Sequence, residues 1–239
     1  MARKNQLRTQ RAGTVINATA KQQESDIIKA LHKVIGELEL KFGTRVHFIH
    51  EKQLYLHKIV AELKDLYPEA EFHCHFENTF IKPDGGILYI RGTGEENIGY
   101  PILISEVKNQ GTNDRRIREG KPKQSRGNAI ERLGKNLIGL RTALMGESIF
   151  PFICFGYGCD FDNDSSILDR VSTMALFGKL NKTYLYNEVC GKLNRGSFYF
   201  RLEPWTVKEM AKIMQDIAER SLFYYFSKYG EDHFKIDRP

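Results

Sequence analysis

The segment IFPFICFGYGC, residues 149–159, constrains this chain most. It is almost wholly apolar, yet far shorter than the ~20 residues a membrane-spanning helix needs. Its stretch 150–157 reads as a buried strand, which requires a sheet beside it and helices over it. Helical stripes of that kind lie on either side. Ile130, Leu133, Leu137, Leu140 and Leu144 recur in 128–145, and Val207, Met210, Ile213, Met214 and Ile217 in 206–228. The expectation is α/β: one domain over 1–239, with a central mixed β-sheet flanked by helices.

Other segments fill in this outline. Residues 22–42 keep helical spacing through Ile27, Ile28, Leu31, Val34, Ile35 and Leu38, and 51–66 carry a second stripe that Pro68 helps to end. Then the period becomes two, with Phe72, Cys74 and Phe76 alternating with His73 and His75. After the Pro-Asp-Gly-Gly turn at 83–86 come strands at 87–91 and 100–108, a meander of extended segments. The polar stretch 109–126 has no apolar period and reads as a long loop, mobile without its ligand. Residues 166–177 read as helix, and 183–189 and 197–203 as strands. Residues 1–20 read as a mobile basic arm.

Composition excludes several classes. With 41% hydrophobic and 28% charged residues over 239 positions, the chain is no disordered tail, coiled coil or collagen. The N-terminus MARKNQLRTQRAGTV lacks the apolar core of a secretory signal. None of Cys74, Cys154, Cys159 and Cys190 forms a Cys-x-x-Cys pair, which suits reduced, buried thiols in a cytoplasmic protein with no membrane partner.

The formal net charge is +6, and it is concentrated. Residues 108–141 carry ten basic side chains against Asp114, Glu119 and Glu131. A solvated face is the bland reading. A surface that tracks DNA phosphates is the sharp one, because each neutralised phosphate releases counterions.

One constellation carries chemistry. The apolar strand ILISEVK (102–108) ends in Glu106-x-Lys108, whose side chains share a face because they are two apart. The chain's only Pro-Asp, Pro83-Asp84, opens the neighbouring extended segment. If the two pair, Asp84 meets Glu106, and two carboxylates beside a lysine form a hard oxygen site suited to Mg2+. Glu-x-Lys also occurs at 62/64 and 119/121, so a structural salt bridge remains the alternative on pattern alone.

The order IKPDGGI (81–87), SEVKNQG (105–111), GNAIER (127–132) resembles the type II restriction endonucleases related to EcoRI. ESIFPFICF (147–155) and SILDR (166–170), with the helix after Trp205, are similar too, so the resemblance covers roughly 75–230. It implies a PD-(D/E)xK nuclease core and a homodimer that hydrolyses both strands of a palindromic duplex with Mg2+. The products would be a 5′-phosphate, a 3′-hydroxyl and 5′ overhangs. Asp84 and Glu106 would bind the metal with the Val107 carbonyl, and Lys108 would serve the attacking water. A cognate DNA methyltransferase would protect host DNA.

GNAIER has two readings. Asn128 with Glu131 three residues on is a capping-box variant. A helix start aimed into the major groove also presents Asn128 to adenine, with Arg132 on the same face and Gly127 allowing close approach. The resemblance assigns Asn128, Ala129 and Arg132 to an inner AATT, Glu131 to orienting arginines, Arg170 to the inner bases and Gln110 to the outer pair. The form RGNAIER is similar to the MunI-like branch, and arginine reads guanine bidentately, so Arg126 points to CAATTG, with GAATTC as runner-up. A PD-(D/E)xK nuclease of repair or junction resolution, and a DNA-binding protein without catalysis, are the rivals. Zinc at His73-Cys-His75 is discounted, because alternation sets Cys74 opposite both histidines. GTGEENIG (92–99) joins two strands, the wrong context for dinucleotide binding.

Overall fold

The strand Tyr100–Asn109 lies at the centre of the main sheet, and its burial follows from the near-continuous apolar run that forms it. The computed structural model describes residues 15–94, 96, 98–109, 111–123, 128–161, 166–174, 179–187 and 194–235. In chain order the elements are α1 (Val15–Phe42), β1 (Phe48–Glu51), β2 (Leu54–Tyr55), α2 (Leu56–Leu66), β3 (Phe80–Ile81), β4 (Gly86–Ile90) and β5 (Tyr100–Asn109). There follow α3 (Gly111–Arg118), α4 (Asn128–Ala143), β6 (Phe152–Tyr157), α5 (Ser166–Met174), β7 (Ser197–Arg201) and α6 (Val207–Tyr229). Short 3-10 turns lie at Cys159–Phe161 and Glu231–Phe234.

The main sheet has the order β1-β4-β5-β6-β7. β1 and β5 flank β4 antiparallel, while β5, β6 and β7 run parallel, so the sheet is mixed as expected. One face packs on α1 and α6 through Ile27, Leu31, Leu38, Met214, Ile217 and Leu222. The other packs on α4 and α5 through Ile130, Leu133, Leu137, Ile167 and Val171. Burying both faces makes β5 and β6 read as apolar runs instead of alternating ones.

Four local expectations change. The period of two at 72–76 yields no strand: Phe76 is 75% exposed, and only Phe80–Ile81 pairs, with β2. Alternation needs a neighbouring edge to bond to. Residues 183–187 form only the bridge Ile149↔Tyr186, because the Tyr184 backbone bonds to the Ser197 and Asn194 side chains instead of to a ladder. The polar stretch 109–126 contains helix α3, held from outside itself by contacts to Cys159 and Asp160. Of the expected arm, 15–20 already belong to α1, and 1–14 lie outside the described residues.

The thiols are not uniformly buried. Cys154 is, Cys74 and Cys159 are half-exposed, and Cys190 lies outside the described residues. Among the described residues no helix is long and apolar enough to cross a membrane.

Candidate active site

The β4–β5 register builds the site. Gly86 lies opposite Ser105, and the Gly85 N–H donates to the Ser105 carbonyl at 2.9 Å. The residue before that pair, Asp84, therefore reaches the stretch of β5 just past it. The Asp84 N–H donates to Glu106 Oε2 at 2.9 Å, and the Val107 N–H donates to Asp84 Oδ2 at 3.3 Å. Lys108 Nζ lies 3.3 Å from Asp84 Oδ2 and forms an ion pair with Glu106 Oε1. The three residues expected to converge do converge.

Their burial is uneven, with Glu106 enclosed and Asp84 and Lys108 partly exposed. Glu106 is 1% exposed. Burial pushes its carboxyl up to about 7, with the Asp84 charge adding to the rise and the Lys108 ammonium opposing it. Burial works against the Lys108 charge as well, but Glu106 and Asp84 outweigh it and hold the ammonium above its ordinary value. Cys154, the β6 partner of Glu106, is fully buried, which raises its thiol pKa and keeps it protonated. The two carboxylates thus already draw a cation between them, and their hard oxygens are of the type that ligates a divalent ion.

Two supports had no sequence signal as part of the site. A Cβ on Gly85 would come within 2.1 Å of Ser105 Oγ, so only glycine lets the strands approach here. His50, on β1, lies with Nε2 3.0 Å from the Gly85 carbonyl. A carbonyl only accepts, so Nε2 carries the proton. Burial lowers the pKa of this imidazole, which favours the neutral ring. Nothing in the residues around His50 marks it, because its role arises only when β1 pairs with β4.

The base-reading candidates divide. Gln110, Arg126 and Gly127 lie outside the described residues. Asn128 and Ala129 form the start of α4, so Asn128 stands inside the first turn and not before it as the capping-box reading required. Glu131 and Arg132 are exposed on that turn, and Arg170 is exposed on α5, which packs against α4. Ile104, two residues before Glu106, shares a core with Ile130 and Leu133 of α4. Alternation therefore gives the Glu106 side chain and α4 the same face of the sheet.

His73 and His75 stack ring on ring at 5.7 Å, while the Cys74 thiol turns to the Phe76 carbonyl. No cluster of three or more His, Cys, Asp or Glu with metal-holding geometry occurs among the described residues. Met210 and Met214 are core, and the Trp205 Nε1–H donates to the Gly156 carbonyl just before α6.

Comparison with known proteins gives a consistent picture. The family model described as Restriction endonuclease EcoRI matches residues 9–167. The chain is 28% identical over 244 residues to the type II restriction enzyme RsrI of Cereibacter sphaeroides, covering 87% of each protein. It is 29% identical over 202 residues to the type II restriction enzyme EcoRI of Escherichia coli, covering 69% of this chain and 72% of that one. The matched stretch carries the β4–β5 pair with Asp84, Glu106 and Lys108 and the start of α4, and this chain belongs to the EcoRI family of restriction endonucleases.

Proposed function

We propose that this chain is a type II restriction endonuclease that acts as a homodimer, with Mg2+, on both strands of a palindromic duplex with an AATT core. CAATTG is the favoured site and GAATTC the runner-up. The observation that carries the reading is the meeting of Asp84, Glu106 and Lys108 at the end of the β4–β5 pairing.

Asp84 and Glu106 would hold the Mg2+, with the Val107 carbonyl as a third oxygen. A strand residue sends its N–H and C=O to the same edge, and the Val107 N–H already points to Asp84. When bound, the ion supplies Lewis acidity at the scissile phosphate. Lys108, held against both carboxylates, orients the attacking water and steadies the charge that develops on phosphorus. Water attacks phosphorus, the bond to the 3′ oxygen breaks and that oxygen takes up a proton. The ends are a 5′-phosphate and a 3′-hydroxyl, left as 5′ overhangs.

Recognition falls to the residues around the start of α4. Asn128, Ala129 and Arg132 read the inner bases with Arg170, Gly127 admits the backbone, and Glu131 orients the arginines. Arg126 reads the outer pair, with Gln110 near it. Two-fold symmetry of the protein would mirror that of the site, so each subunit cuts one strand. A cognate methyltransferase would protect host DNA in the same prokaryotic cytoplasm.

Incubation with Mg2+ and a plasmid of known sequence, followed by sequencing of the fragment ends, tests the reading. Ends at CAATTG support it. Cleavage of GAATTC with CAATTG intact reverses the order of the two sites. Cutting that follows DNA structure and ignores sequence overturns the restriction reading in favour of a repair or junction nuclease.

A further inference from the structure

Outside the site above, the one wholly buried carboxylate among the described residues is Asp160, in the 3-10 turn after β6. Its Oδ2 accepts from the Asn113 side-chain amide at 2.6 Å, and its Oδ1 lies 3.3 Å from Lys123 Nζ. Lys123 Nζ also donates to the Cys159 carbonyl at 2.9 Å, and the Cys159 N–H donates to Asp114 Oδ1 at 2.7 Å. Gly158 makes room for this: its φ is +118°, and a Cβ there would come within 2.7 Å of Asp114 Oδ2. Asn113 and Asp114 at one end, and Lys123 at the other, thus stand on the same three-residue turn.

Between these two footings the chain carries Arg115, Arg116, Arg118 and Lys121 against Glu119. The excursion is braced from within. Arg115 Nε and Lys121 Nζ bond to the two Glu119 oxygens at 2.6 and 2.7 Å, and Arg116 Nε donates to the Pro122 carbonyl at 2.6 Å. A buried carboxylate is tolerated only while it is paired and hydrogen-bonded. Asn113 and Lys123 both belong to this excursion, so lifting it off would strand the Asp160 charge.

We propose that Asp160 is a positioning residue for DNA binding. It locks 113–123 in place as a preformed cationic ridge, a few residues beyond Lys108 in the chain, that tracks the phosphate backbone. The inference rests on the endonuclease reading and assigns backbone contact within it. A ridge already in place spares the ordering cost that a loose arm incurs on binding.

The test uses the full-length protein in two arms. In limited trypsin digestion without DNA or metal, wild type resists cutting at 115–121, and Asp160→Ala is cut there about tenfold faster. In binding to CAATTG and GAATTC duplexes in Ca2+ across a salt series, Asp160→Ala loses about tenfold in affinity and shows a shallower salt dependence. Its kcat at saturating DNA stays at the wild-type value, which a merely structural defect would not spare. Asp160→Asn, which keeps the size of the side chain and removes the charge that faces Lys123, gives the same pattern even where Asp160→Ala fails to accumulate. Wild-type trypsin resistance and affinity in Asp160→Asn overturn the proposal, as does a fall in kcat at unchanged affinity. Wild-type protein that cuts no duplex with Mg2+ refutes the endonuclease reading alone, because the trypsin arm reads the footing without DNA.

Discussion

Asp84 and Glu106 hold each other through the backbone. The Asp84 N–H donates to the Glu106 carboxylate at 2.9 Å, and the amide next after Glu106, that of Val107, returns a bond to the Asp84 carboxylate at 3.3 Å. The exchange fixes two like charges near one another, and Lys108 beside both makes that tolerable. A shift of either carboxylate gives up a bond to the other strand's backbone.

Asp84→Ala should abolish cutting while leaving recognition. Plasmid cleavage with Mg2+ is expected to fall by roughly 10³-fold, the scale of several kcal/mol of lost charge stabilisation. Affinity for the cognate duplex without metal should hold or rise, because an anionic group facing phosphate is gone. Wild-type cleavage by this variant would remove Asp84 from the machinery.

Gly85→Ala tests the close approach of β4 and β5. The added methyl meets Ser105 Oγ at 2.1 Å and Ser105 Cβ at 3.2 Å, so the hydroxyl must swing away and β4 and β5 must give slightly, which disturbs Asp84 against Glu106. Cleavage should drop by roughly 10²-fold, since small misplacements of reacting groups cost that much. Overpacking should lower stability by ~1–3 kcal/mol in urea titration. A stable, fully active variant would contradict the packing argument.

His50→Ala removes the donor to the Gly85 carbonyl. We expect about 1 kcal/mol of lost stability and a lower kcat with KM nearly unchanged, because the turn carrying Asp84 loosens. His50→Gln can donate to the same carbonyl and should recover part of the rate. Equal rates for the two variants would show that the bond does not matter to catalysis.

Arg126→Ala addresses the outer base pair. Competition between CAATTG and duplexes altered only at that pair should show discrimination reduced by ~1–3 kcal/mol. Undiminished discrimination would move outer-pair reading to another residue.

The start of α6 should show a pH dependence of stability. Paired hydrogen bonds from Arg201, with further bonds from the Thr206 hydroxyl and amide, lower Glu209 to about 2. Its folded pKa lies below the unfolded value, so its contribution is present above pH ~4.3 and is lost as pH falls toward the folded value. Urea midpoints of wild type and Glu209→Gln should differ at pH 6 and converge as the pH drops toward 2. A constant difference across that range would contradict the assignment.

The helices were legible wherever a stripe faced a core. The stripe from Val207 to Ile217 forms the α6 face that packs on the sheet, and the one from Ile130 to Leu140 does the same in α4. The alternation at 72–76 misled because a period of two describes a chain able to pair, and no neighbouring strand edge is paired with it there. Helix α3 was invisible for the opposite reason. It has no apolar stripe, and what fastens it is a set of polar bonds to a turn some 45 residues further on.

The order of residues along the chain determined the chemistry: an apolar strand ending in Glu106-x-Lys108, a Pro-Asp upstream, and side-chain alternation that sets the two charged groups on one face. Tertiary structure alone decided that Asp84 lies at hydrogen-bonding distance from Glu106, that His50 supports the turn between them, and that Asp160 anchors a basic helix. Spacing within one strand follows from covalent geometry and is written in the sequence. Contacts between strands follow from register and from the burial of both sheet faces, which depend on every element packing at once.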